Sequence, residues 1–305
     1  MNNIMENDLS KFGKVYINAP MKDWTTFKTG GTADCLIIPT NVNTIPEIIS
    51  YAKNNNIPLT VIGWGSNLVI SDKGLRGLVL RISDYDDNKS AINLTSDGLV
   101  ECSASVKKED FVKWGLQNGY KGMEFMTGIP GCIGGGIVMN AGTNMGTFCD
   151  ILKKVEYLDN NGVLHSEAVS REMGHYRKFD ITDYLVFTKA YFALTKTDDI
   201  AALKNTIQTL NDERKVKHPL SYPSAGSVFK NPEGHFSWKL VNDSGLRGYS
   251  IGGAQVSELH TNFIINKSNA TSTDIRNLVS HVITVIKQKY GIDMHPEIKF
   301  LGEFD

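Results

Sequence analysis

Cysteine is scarce in this chain: four in 305 residues, Cys35, Cys102, Cys132 and Cys149, none spaced as C-x-x-C and all in apolar surroundings. That pattern excludes a zinc ribbon or a disulfide-stapled scaffold and fits reduced thiols; none is read as a ligand or nucleophile, and no metal site is expected. Neither sign of charge is in excess, with 32 Lys+Arg against 33 Asp+Glu and a formal net charge of −1. General attraction to nucleic acid or an anionic membrane is therefore not expected, and any anionic ligand has to be met by a local basic site. No apolar run approaches the roughly 18 residues of a membrane span, and residues 1–8 lack the basic and apolar regions of a secretion signal. A cytoplasmic protein is expected.

Two common phosphate-binding motifs are missing as well. G-x-G-x-x-G would require a glycine at 139 after Gly134 and Gly136, where Met139 stands, and no glycine loop is followed by the Lys-Ser or Lys-Thr of a Walker A motif. Yet glycine is plentiful, with 28 residues, and six of them fall in one fifteen-residue stretch, Gly128-Ile129-Pro130-Gly131-Cys132-Ile133-Gly134-Gly135-Gly136-Ile137-Val138-Met139-Asn140-Ala141-Gly142. An interior glycine costs about 0.5–1 kcal/mol relative to alanine, so this stretch is not expected to hold itself as helix or strand. Backbone N–H groups without side chains can approach diphosphate oxygens closely, and the stretch is read as a ligand cradle; the plain alternative is a set of tight turns.

A length of 305 residues with 41% hydrophobic content predicts two domains, each with its own core. A glycine turn at Gly30-Gly31 feeds a buried strand at 35–38. Thr44-Ile45-Pro46-Glu47 opens a helix with a capping hydroxyl, placing Ile45, Ile48, Ile49 and Ala52 on one face until Asn54-Asn55-Asn56 stops it. The strand 58–62 follows and ends in Gly63-Trp64-Gly65-Ser66-Asn67, which by itself is as readily a turn as a phosphate contact. Strands at 78–82 and 99–102, separated by a polar loop, precede a helix at 108–118 with Phe111 and Leu116 inward. Beyond the glycine stretch, 154–158 and 163–165 form a hairpin around Asp159-Asn160-Asn161-Gly162, and 185–194 is a strand. A helix from 198 to about 214, with Ile200, Leu203, Ile207 and Leu210 on one stripe, connects to the second domain, whose boundary is placed at 195–198.

The second domain carries the most unusual polar cluster, Lys217-His218-Pro219-Leu220-Ser221-Tyr222-Pro223-Ser224-Ala225-Gly226-Ser227-Val228-Phe229-Lys230-Asn231-Pro232. Three prolines stiffen a loop rich in hydroxyls and cations, which reads as a site or as an ordinary Pro-Ser turn. Gly252-Gly253-Ala254-Gln255-Val256-Ser257 leads into a core strand at 262–266. The helix 273–290 buries Ile275, Leu278, Val279, Val282, Ile283 and Ile286 and stops at Gly291. Glu297 heads a final strand and read alone is a solvated strand end.

Taken together and in order, these pieces resemble the UDP-N-acetylenolpyruvoylglucosamine reductase family over nearly the whole chain, from about residue 25 to 302. The resemblance rests on Thr26-Phe27-Lys28-Thr29-Gly30-Gly31-Thr32-Ala33-Asp34, Gly63-Trp64-Gly65-Ser66-Asn67-Leu68, the 128–142 stretch, Tyr176-Arg177, the 222–232 loop, Ile251-Gly252-Gly253-Ala254-Gln255-Val256-Ser257 and Pro296-Glu297. Tyr-Pro-Ser-Ala-Gly-Ser, without an extra tyrosine-bearing insertion, is similar to the shorter type II branch. One departure is Phe179, where the family often has serine in Tyr-Arg-x-Ser, so packing beside Arg177 is expected to differ.

The resemblance implies an α/β (α+β) fold, with a vanillyl-alcohol-oxidase-type FAD-binding domain at 1–195, in two lobes of about 1–80 and 81–195, and a smaller α/β substrate domain at 196–305. It implies FAD as cofactor and NADPH as co-substrate in peptidoglycan synthesis, with hydride passing to the terminal enolpyruvyl carbon of the substrate and UDP-N-acetylmuramate as product. Carried over residue by residue, Ser227 is the proton donor, Arg177 and Glu297 converge on the substrate carboxylate and stabilise the enolate, and Tyr176, Lys217, Lys230, Asn231 and Gln255 bind substrate. Gly63, Gly65, Ser66 and Asn67 join Gly128, Ile129, Pro130, Gly131, Gly134, Gly135, Gly136, Asn140, Ala141 and Gly142 in holding the cofactor. A monomer is expected. Two rival readings are an oxidase of the same fold, which would produce peroxide, and a non-catalytic nucleotide-binding module, which would be colourless.

Overall fold

A computed structural model describes residues 2–82 and 91–304. The polar loop expected between the strands at 78–82 and 99–102 falls largely on 83–90, outside the described residues. The chain divides into two compact units, each assembled from separated stretches: Met1–Ile17, Cys35–Trp64 and Gly77–Asp212 form the first, and Asn18–Asp34, Gly65–Arg76 and Glu213–Asp305 the second. The division expected from sequence is linear, whereas this grouping is interleaved. Its reason is local: Phe27 in a turn and Val69 in the three-residue strand Leu68–Ile70 lie in segments too short to show a period, yet both are buried in the second unit's core.

In the first unit, two hydrophobic clusters organise two sheets. Leu9, Cys35, Ile37, Ile45, Ile48, Leu78 and Leu80 belong to one cluster. The helix Ile45–Asn54 buries the four residues expected of it, Ile45, Ile48, Ile49 and Ala52. Thr44 makes no cap bond, however; its hydroxyl donates to the Asn41 carbonyl at 2.9 Å, which takes it away from the helix amides. The associated sheet runs Gly13–Pro20, Thr32–Pro39, Leu75–Arg81, Leu59–Ile62, with the last two strands parallel, and residues 18–20, 32–34 and 75–76 at the strand ends are grouped with the second unit.

The other cluster lies on a five-stranded antiparallel sheet in the order Leu164–Ala168, Leu152–Leu158, Val186–Phe192, Val100–Ser103, Ile92–Leu94. The expected hairpin is present: Asp159 accepts from the amides of Asn161 and Val163, and Gly162 takes φ +78°, which a side chain would resist. Helix Lys108–Asn118 ends on Gly119 in the left-handed region, as expected. Helix Ile200–Lys217 departs from its expected stripe, because only Leu203 is buried and Ile200 stands exposed.

The second unit centres on the sheet Ser224–Ser227, Phe263–Asn266, Ala254–Val256, Ser250–Ile251, with the helix Ser272–Tyr290 packed on it. That helix starts in a reciprocal capping box, Thr271 with Asp274, and the Asp72 carboxylate accepts from the amides of Ser272 and Thr273 at 2.9 and 2.8 Å. A parallel pair, Leu68–Ile70 with Lys299–Leu301, brings the 65–76 stretch alongside the chain's end.

Candidate active site

The residues assigned from sequence fall in both units. Gly63, the 128–142 stretch, Tyr176 and Arg177 lie in the first; Gly65, Ser66, Asn67, Lys217, Ser227, Lys230, Asn231, Gln255 and Glu297 lie in the second.

Within the first unit, the glycine stretch contains what its composition argues against, a helix at Ile133–Val138. Tertiary packing outweighs propensity there: Ile133 and Ile137 are fully buried, and the amides of Ile133 and Gly134 donate to the carbonyls of Val106 and Ala104 at 2.8 and 2.9 Å. The amides of Ile129, Gly136, Asn140 and Ala141 are also bonded inside the unit, so the stretch is not a simple row of amides turned outward. Its glycines divide by what a Cβ would meet. At Gly136 it would stand 2.3 Å from the Phe148 ring, at Gly142 2.4 Å from the Gly146 carbonyl, and at Gly134 3.2 Å from Ala104 Cβ, so these three are packing glycines. Gly135 is exposed, and a Cβ there meets only Cys132 Sγ at 3.8 Å. Just before the stretch, Thr127 is buried and its hydroxyl has no hydrogen-bond partner among the described residues.

The turn at Gly63-Trp64 comes to the same place. A Cβ on Gly63 would lie 2.9 Å from Cys132 Sγ, and Lys107, bridged to Cys132 across the backbone, sets its ammonium 4.1 Å from the centre of the Trp64 ring. The Arg81 guanidinium lies 5.1 Å from that ring. Two cations therefore meet one aromatic ring beside the glycine stretch, a local basic site in a chain with no net basic charge. Sequence reading passed over Lys107 and Arg81, because neither sits in a glycine motif; the Lys107-Lys108 pair at the head of a helix was the available signal.

Arg177 sits in the two-residue turn of a short hairpin, Gly174–His175 with Lys178–Phe179, and takes φ +56°. Its guanidinium donates to the Gly142 carbonyl at 3.3 Å and lies 5.0 Å from the Tyr176 ring centre, while Tyr176 is exposed. His175 and Lys178 both contact the Asp180 carboxylate, at 2.8 and 3.1 Å, which holds that carboxyl below its usual range. Phe179 is buried and stands 6.0 Å from Phe187, so the residue that departs from the family pattern is a core side chain.

In the second unit, Ser227 ends the strand Ser224–Ser227, whose register against Phe263–Asn266 is interrupted between 224 and 227. Gly226 there has φ +76°, and such irregularities re-aim the next side chain. Glu297 is brought beside this strand: its amide donates to the Val228 carbonyl at 2.7 Å, and Asn67 Nδ2 donates to the Glu297 carbonyl at 3.1 Å. Asn262 clamps the next residue, accepting from the Phe229 amide and donating to its carbonyl, both at 2.9 Å. Asn231 Oδ1 accepts from the Ser237 amide at 3.0 Å, and Gln255 Nε2 donates to the Gly248 carbonyl at 3.1 Å. Lys230 is half-buried, with its amide bonded to the His295 carbonyl. Lys217 is paired with Glu213 at 2.7 Å and exposed. Its neighbour His218 is pushed down to about 4 by burial, with Arg214, His260 and Lys217 adding repulsion. A separate pocket of about 490 Å³ in the first unit, lined by Phe125, Met145, Asp150 and Arg171 among others, includes none of the assigned residues.

An exposed glycine cradle with adjacent cations in one unit, and a serine and a glutamate on neighbouring segments of the other, suit a nucleotide-cofactor enzyme. Residues 33–166 match the model of an FAD binding domain, and residues 218–301 match that of the UDP-N-acetylenolpyruvoylglucosamine reductase C-terminal domain. The chain is 40% identical over 301 residues to a UDP-N-acetylenolpyruvoylglucosamine reductase of Caldanaerobacter subterraneus, covering 97% of this chain and 96% of that one. It is also 40% identical over 306 residues to the reductase of that name from Listeria monocytogenes, covering 98% and 99%. The crystal structure of the enzyme from Thermus caldophilus superposes with a TM-score of 0.77 at 26% identity, covering 95% of this chain and 99% of that one. The chain belongs to the UDP-N-acetylenolpyruvoylglucosamine reductase family, and its α/β fold is that family's FAD-binding domain followed by the C-terminal domain.

Proposed function

We propose that this chain reduces the enolpyruvyl ether of UDP-N-acetylglucosamine-enolpyruvate to UDP-N-acetylmuramate, the UDP-N-acetylmuramate dehydrogenase reaction of peptidoglycan precursor synthesis, with FAD as its cofactor and NADPH as reductant. Family membership supports the reaction, and the observation that carries the cofactor is Gly135, the one glycine of the 134–136 triplet whose Cβ position is open; the same unit holds an unpartnered buried hydroxyl on Thr127 and the cations of Lys107 and Arg81 at Trp64. These residues fit a dinucleotide: Gly135 allows close approach, Thr127 offers a hydrogen bond, and the cations meet a diphosphate. When bound, FAD carries hydride from NADPH to the substrate.

The chain's own residues do the rest. Arg177 offers a planar fork to the substrate carboxylate, and Glu297 orients that contact or polarises the carboxyl group as negative charge develops. Ser227 Oγ donates a proton to the carbon left anionic; a serine hydroxyl is a weak acid, but against a carbanion the driving force is large, so placement matters more than acidity. Lys230 and Asn231 hold the UDP phosphates, with Tyr176, Lys217 and Gln255 as further substrate contacts. In sequence terms the cofactor role falls to 1–195 and the substrate role to 196–305. Among the described residues no helix is long and apolar enough to cross a membrane, and we place the enzyme in the cytoplasm as a monomer. Incubating the protein with NADPH and the enolpyruvyl UDP-sugar, and weighing the product, tests the reaction: a gain of two hydrogens is expected, and unchanged substrate with NADPH loss to peroxide would contradict it.

A further inference from the structure

Asn140 closes the glycine stretch, is nine-tenths or more buried, and takes φ +36°. Both ends of its amide are committed inside the first unit. Oδ1 accepts from the Cys149 amide at 3.0 Å, and Nδ2 donates to the His175 carbonyl at 3.0 Å. His175 is the last strand residue before the Tyr176-Arg177 turn. Two residues beyond Asn140, the Gly142 carbonyl accepts from the Arg177 guanidinium. One three-residue segment, Asn140-Ala141-Gly142, thus grips the Arg177 turn twice, once by its backbone and once by its charged end.

That grip matters because Arg177 stands in the left-handed region, which costs a non-glycine residue about 1–2 kcal/mol and persists only where the surroundings over-determine it. The fit at the junction is close from the hairpin side too: a Cβ on Gly174 would lie 2.4 Å from Cys149 Sγ and 2.8 Å from Asn140 Nδ2. We propose that Asn140 is a positioning residue for Arg177, fixing the guanidinium relative to the glycine cradle. The inference rests on the catalytic reading of Arg177 given above.

Asn140→Asp keeps the acceptor for Cys149 and replaces the donor to His175 by an acceptor, so it cuts the tie to the hairpin alone. Apoprotein of this variant should bind FAD with parental affinity by fluorescence quenching, and NADPH should reduce its flavin at the parental rate. Reoxidation by the enolpyruvyl UDP-sugar should slow about 10- to 100-fold, as small misplacements of a substrate-binding group do. The decisive readout is non-additivity: Asn140→Asp combined with Arg177→Ala should be no slower than Arg177→Ala alone, whereas a merely structural defect would add. Gly174→Ala wedges the same junction from the other side and should reproduce the pattern where Asn140→Asp folds poorly. Loss of FAD affinity in both variants, additive losses, or parental reoxidation in both while Arg177→Ala is impaired would overturn the positioning role and leave the catalytic reading standing. Unimpaired Arg177→Ala would sink both.

Discussion

Gly135 and Gly136 are neighbours with opposite jobs, and the difference is visible only in what lies around them. Gly135→Val places its side chain in open space, so apoprotein stability should be parental while flavin is lost; retention of full flavin content would show that Gly135 serves only the local helix. Arg177→Lys replaces a two-point fork with a point charge and should depress substrate reduction well below the parental rate, measured as kcat with saturating NADPH; near-normal turnover would remove the bidentate role. Ser227→Ala should leave FAD binding and flavin reduction by NADPH intact and slow the second half-reaction by about 10²–10⁴-fold, in kcat more than in substrate affinity. Partial recovery in Ser227→Cys, measured by stopped-flow reoxidation, would fit a proton donor. Collapse of the NADPH step instead would give the loop another function.

At the scale of elements, Gly136→Ala drives a methyl into the Phe148 ring and should cost about 1–3 kcal/mol in urea unfolding of the apoprotein, with no comparable loss for Gly135→Val. The helices with a clear 3.6-residue period, Ile45–Asn54 and Ser272–Tyr290, were legible because burial of one face decides them, and Gly119 and Gly291 marked the left-handed stops of Lys108–Asn118 and Ser272–Tyr290. The helix Ile133–Val138 was not, since the Val106 and Ala104 carbonyls that hold it belong to a distant part of the chain. For the same reason the glycine stretch was legible as a special place and not as a list of contacts: which glycine packs and which faces outward depends on Phe148, Ala104 and Cys132. The family resemblance supplied Ser227, Arg177 and Glu297 as candidates, but Lys107, Arg81 and the double use of Asn140 needed the fold.

For the whole molecule, pH dependence should carry a mark of His218. Its folded value near 4 lies below that of an unfolded histidine, about 6.5, so above pH 6.5 both states are neutral and the group has no effect. Between 6.5 and 4 the unfolded chain takes up a proton that the folded one refuses, and stability falls as pH falls through that window. His218→Gln should flatten this part of the curve, read as urea midpoints at pH 7 and 4.5; an unchanged slope would show that His218 titrates normally in the fold. An FAD enzyme that passes reducing equivalents from NADPH to an enolpyruvyl UDP-sugar has a plain signature in the anaerobic visible spectrum of the purified protein. The protein should be yellow, bleach with one equivalent of NADPH, and regain its colour when one equivalent of UDP-N-acetylglucosamine-enolpyruvate is added, yielding UDP-N-acetylmuramate. A colourless protein, or a bleached flavin that returns with dioxygen but not with the enolpyruvyl substrate, would contradict the proposed function.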